Sequence, residues 1–136
     1  MIHRHITGNI GLYYVCYRLS RLGWNIMPTA SNARGIDIVA YDAPGEQFLG
    51  FQIKTLSRRY PVPLGTGLVR LMGNWWIIVT HAAQERPISY VLLPDEVRQL
   101  AHRNEKEGRI SYWLEPSGYD NERFRERWDR LPAATR

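Results

Sequence analysis

Two stretches of strictly alternating character, joined by one turn, constrain this chain more than any other feature. Residues 35–41, GIDIVAY, alternate Ile36, Ile38 and Ala40 with Asp37, Val39 and Tyr41. Residues 48–55, FLGFQIKT, alternate Leu49, Phe51 and Ile53 with Gly50, Gln52 and Lys54. A period of two belongs to β-strands, whereas a helix repeats its apolar face every three or four residues. Between the two runs lies Asp42-Ala43-Pro44-Gly45-Glu46, where proline presets φ and glycine admits a positive one. The whole stretch therefore reads as a β-hairpin.

A hairpin symmetric about Pro44-Gly45 sets Asp37 opposite Gln52, with Cβ atoms roughly 5 Å apart. Lys54 then shares their face, with Gly35 as its partner and Gly50 as the partner of Val39. One face is apolar (Ile36, Ile38, Leu49, Phe51, Ile53). The other carries an acid, an amide and an amine, flanked by two glycines. A bulge at Gly45 would shift this register by one. A solvated polar face would give the same alternation, but two details argue for more. The chain uses 16 arginines and 2 lysines, so Lys54 departs from its habit, and a lysine responds to its surroundings as an arginine does not. Glycines weaken a strand and mark the close approach of another group.

An acid in a glycine-led apolar strand, a turn, then an amide and a lysine two residues apart resembles the core motif of the PD-(D/E)XK nuclease superfamily. GIDIVAYD and FQIKT carry the match, and Gln52 in the place of a glutamate is similar to the Mrr-like branch. The resemblance implies a restriction-endonuclease-like α/β core with a mixed central β-sheet flanked by helices. It implies a divalent metal, Mg²⁺ or Mn²⁺, held by Asp37, Gln52 and the backbone carbonyl of Ile53. It gives Lys54 the task of positioning the attacking water. Related nucleases open with a helix whose Gly-Glu pair adds a further ligand. Here Gly11, Val15, Leu19, Gly23 and Trp24 match that helix, but Leu12 occupies the place of the glutamate. Leucine cannot bind a cation, and Asn9, about one turn earlier, is a weak substitute.

Length and composition fit this reading. At 136 residues one domain, 1–136, is expected. No apolar run approaches the ~20 residues of a transmembrane helix, and the first residues lack a signal-peptide core, so a cytoplasmic protein without membrane contact is expected. Cys16 alone excludes an internal disulfide. The net charge is +5; residues 1–70 hold 8 basic and 3 acidic residues, so the excess sits in the half with the hairpin. That suits a phosphate-rich partner, DNA foremost. Arg34 before the acid strand and Arg58 and Arg59 after Lys54 are placed to hold a nucleic-acid backbone, as the Ser31 hydroxyl could be.

Elsewhere the spacing predicts a helix over 8–22, N-capped by Thr7 and ended by Gly23, then a short strand over 24–28. Residues 56–73 read as irregular, with prolines and glycines at 61–67. Residues 75–80, WWIIVT, read as a buried strand, with the tryptophans as packing rather than a stacking platform. His81 after it reads as incidental. A strand over 88–93 and a helix from Pro94 to about Asn104 follow. A polar, turn-rich stretch spans 105–118, and a last helix 121–131 turns Phe124, Trp128 and Leu131 inward. The functional expectation is a metal-dependent DNA endonuclease. The alternative is a nuclease-like fold that no longer cuts and binds nucleic acid or a partner protein. A homodimer or an associated specificity subunit would be natural at this size.

Overall fold

A computed structural model describes residues 3–30 and 35–136. The first helix, α1 (Arg4–Arg21), begins a turn earlier than Thr7; His3 is its N-cap, and Thr7 donates its hydroxyl back to the His3 carbonyl instead. It ends as expected. Gly23 takes φ +94°, its N–H reaches Ser20 O and the Trp24 N–H reaches Leu19 O, which closes the last turn.

The strands β1 (Asn25–Pro28), β2 (Ile38–Tyr41), β3 (Phe48–Thr55), β5 (Trp75–Thr80) and β6 (Ile88–Leu92) form one sheet in the order β1-β2-β3-β5-β6. Only β3 and β5 pair in parallel among these neighbours, so the sheet is mixed. The hairpin register follows the symmetric turn, with Ile38 across from Phe51 and Val39 across from Gly50. Asp42 locks the turn, its Oδ1 accepting the N–H groups of Glu46 and Gln47 at 2.9 and 3.0 Å. Those bonds hold its carboxyl below the usual carboxylate range.

Helix α1 covers one face of this sheet. Val15 and Leu19 pack on Ile38, Ala40, Phe51 and Ile77. All six residues of β5 are buried, as a strand covered on both faces requires. Strands β4 (Val62–Gly65), β7 (His102–Lys106) and β8 (Arg109–Leu114) form a second sheet in the order β4-β8-β7. It belongs to the other core, where Val62 and Leu114 join Trp76, Ile78 and Tyr90.

The sequence reading is corrected in three places. Part of the stretch read as irregular is β4. Helix α2 (Pro94–Leu100) stops at Ala101, whose ψ of 139° is extended, and the residues to Lys106 pair with β8. Glu107 and Gly108 both take positive φ, the geometry of a tight hairpin turn. The expected last helix over 121–131 is absent. A short α3 (Pro116–Tyr119) precedes that stretch, and within it one 3₁₀ turn spans Trp128–Arg130. Phe124, Trp128 and Leu131 are buried as expected, but from a run of turns that makes one bridge to β6, between Arg125 and Tyr90: Val91 N–H bonds Phe124 O and Glu126 N–H bonds Ser89 O. No described helix is long and apolar enough to cross a membrane.

Candidate active site

Asp37 sits where the hairpin ladder breaks. Pairing is regular to Ile38. One residue earlier the Asp37 N–H bonds the Phe51 carbonyl at 2.8 Å, a slip from the expected partner Gln52. Its carbonyl accepts from Thr29 N–H at 2.9 Å. Its side chain turns toward β3, and Oδ2 accepts the Ile53 N–H at 2.7 Å. The direct opposition of Asp37 and Gln52 is therefore corrected: the carboxylate docks on the backbone one residue further on. A strand residue's N–H and C=O point to the same edge, so the Ile53 carbonyl projects on the side of this carboxylate.

The same slip moves Ile36. It was expected beside Ile38 on the apolar face, yet it lies over Gly50 and Gly73 on the opposite one. A Cβ at either glycine would come within 3.2 or 3.0 Å of Ile36 Cδ1. A Cβ at Gly35 would meet Met72 Cγ at 2.5 Å. The close approach that the glycines announced is thus made by the chain's own side chains.

Gln52 and Lys54 project from the face of β3 away from α1. Parallel pairing sets Gln52 beside Trp76, and the indole N–H donates to Gln52 Oε1 at 2.6 Å. Since indole only donates, this bond fixes which way the amide points. Lys54, two residues on, lines a cleft of about 390 Å³ with Gln52, Gly35, Leu64, Arg70 and Met72. Arg70 is a cation that sequence reasoning missed; the signal was its place in the long irregular segment after Lys54.

The expected backbone-binding arginines fare differently. Arg34 and Ser31 lie outside the described residues. Arg58 is exposed on the turn beyond β3 and has no ion-pair partner among the described residues. Arg59 is engaged: its Nε donates to Asp120 at 2.7 Å, and Tyr90 donates its hydroxyl to the same carboxylate at 3.0 Å. Arg59 and then Tyr90 hold the Asp120 carboxyl below its ordinary value. Burial, reinforced by Asp120, pushes the Tyr90 phenol up to about 12. His81 takes φ +55° and bonds its neighbour Thr80, away from the cleft.

The helix residue at the expected acid position, Leu12, is half-buried against the first core. Gly11 beside it presses on Thr55: a Cβ there would lie 1.7 Å from Thr55 Oγ1. Among the described residues no three His, Cys, Asp or Glu side chains gather as a metal cluster. The available donors are the second Asp37 oxygen, the Ile53 carbonyl and the remaining lone pair of Gln52 Oε1. All are hard oxygens and suit Mg²⁺ or Mn²⁺, which accept one carboxylate when substrate phosphate completes the shell.

No protein-family model and no curated protein matches the sequence. Solved structures do. A bacterial homing endonuclease, I-Ssp6803I, is similar with a TM-score of 0.59 at 17% identity, over 94% of this chain and 92% of that one. A Holliday junction resolvase of the archaeal hyperthermophile Archaeoglobus fulgidus is similar with a TM-score of 0.49 at 18% identity, over 79% of this chain and 90% of that one. The likeness to the homing endonuclease shows the fold, a mixed α/β core of the restriction-endonuclease-like kind.

Proposed function

We propose that this protein is a metal-dependent endonuclease that hydrolyses DNA phosphodiester bonds. One observation carries the reading: in a nuclease fold, the Asp37 carboxylate is docked on the main chain of Ile53, between Gln52 and Lys54, at 2.7 Å. Such a site needs an acid and an amine on neighbouring strands, and Asp37 and Lys54 would fill those roles. Asp37 and the Ile53 carbonyl would hold Mg²⁺ or Mn²⁺, with Gln52 as a neutral third donor. The ion, when bound, supplies a Lewis acid for the phosphoryl oxygen. The Lys54 ammonium would hold the attacking water by hydrogen bonding and offset the charge that builds on the phosphate. With one carboxylate in the set, metal affinity depends on the substrate's own phosphate oxygens.

A second reading rests on two observations. Leu12 offers no ligand, and the Trp76 indole already occupies one lone pair of Gln52. A fold so altered would bind nucleic acid without cutting it. Incubation with supercoiled plasmid and short duplexes, with Mg²⁺ or Mn²⁺, separates the two. Cutting by the wild type and not by Lys54→Ala is the expected result. Salt-sensitive binding with no cutting in either metal would establish the second reading.

A further inference from the structure

The loop between β4 and β5 brings a second cation to the cleft. Its tip projects, since Val69 is 92% exposed. The residue after Arg70 is anchored: Leu71 is buried and its carbonyl accepts from Arg98 Nη2. Met72 then packs over Gly35. Arg70 thus stands between a free tip and a fixed base, with its side chain at the mouth of the cleft that Lys54 lines. It has no ion-pair partner among the described residues. None of the described residues lining the cleft is acidic. Two cations facing one opening raise the local concentration of anions. A guanidinium also matches a phosphate in a two-pronged geometry that an ammonium does not.

We infer that Arg70 is the phosphate clamp of this site. It grips a backbone phosphate next to the one presented to Lys54 and so positions the strand. The choice of a nucleic-acid strand as ligand rests on the nuclease reading above; the clamp itself rests on the cleft. Arg70 acts on binding and register, whereas Lys54 acts on the chemical step.

The test uses the full chain and a fluorescent DNA duplex of about 20 base pairs, titrated over a range of salt without divalent metal. Arg70→Ala is expected to weaken binding about tenfold at low salt and to reduce the salt slope by about one phosphate contact. Arg70→Lys should fall between wild type and alanine. Arg103→Ala, on β7 and paired with Glu105, is the control for a generic loss of positive charge and should move binding less than twofold or so. Equal affinity and equal slope for Arg70→Ala and wild type would overturn the clamp, even if both cut DNA. A wild type that needs Arg70 to bind but never cuts would sink the hydrolase reading and leave the clamp standing.

Discussion

At the scale of single residues, Asp37 does two things that can be separated. Its carboxylate accepts the Ile53 N–H and, in the proposed reading, carries the charge that would hold the metal. Asp37→Asn keeps an acceptor of the same shape and removes the charge. Cutting should be lost, while the unfolding midpoint moves by about 1 kcal/mol or less, the difference between a charge-assisted and a neutral hydrogen bond. A large loss of stability together with activity would mean that Asp37 is a structural brace alone. Leu12→Glu asks the complementary question. The acid should lower the Mn²⁺ concentration needed for half-maximal cutting, at a cost of roughly 1–2 kcal/mol for the half-buried apolar surface given up. The placing of Gln52 and Lys54 on one face of β3, with Asp37 just before β2, was legible from alternation. The direction of the carboxylate was not, because a one-residue slip in the ladder leaves no mark in residue types.

At the scale of elements, the site depends on how closely α1 lies on β3. Gly11 permits this, since any Cβ there would overlap the Thr55 side chain. Gly11→Ala raises intrinsic helix propensity, yet it should destabilise the protein by about 1–3 kcal/mol in urea, because the two elements must move apart. A gain in stability would mean that the contact is loose. The hairpin and β5 could be read because local alternation and an unbroken apolar run agree with their tertiary surroundings. Residues 101–106 and 121–131 could not. Charged, polar sequences of that kind suit a solvated helix equally well. His102–Lys106 became a strand because β8 offered a partner. The Phe124 segment became a run of turns pinned to β6, with Ser89 N–H and Oγ both bonded to Glu126 at 2.9 and 2.8 Å.

At the scale of the whole molecule, the Arg59–Asp120–Tyr90 network joins the turn after β3 to β6 and the segment after α3. Because the folded state holds the Asp120 carboxyl low, the stability it adds is present above pH ~4 and lost as pH falls through the lower folded-state value. Urea midpoints followed downward from pH 5 should therefore fall less steeply in Asp120→Asn. Tyr90 works at the other end. Its phenol is raised to about 12, so the fold keeps its full stability below pH ~10 and loses it as pH climbs toward that value. Tyr90→Phe should flatten this alkaline limb, and an unchanged slope would remove Tyr90 as its cause. The sequence by itself determined the hairpin and its register to Ile38, the α/β class, the buried β5 and the shared face of Gln52 and Lys54, because each is written in local periodicity or residue type. The tertiary structure alone decided the docking of Asp37 on Ile53, the capture of Gln52 by Trp76, the engagement of Arg59 and the arrival of Arg70 at the cleft. Those depend on partners roughly 15 to 60 positions away along the chain, and no local pattern encodes a contact made by a residue so distant.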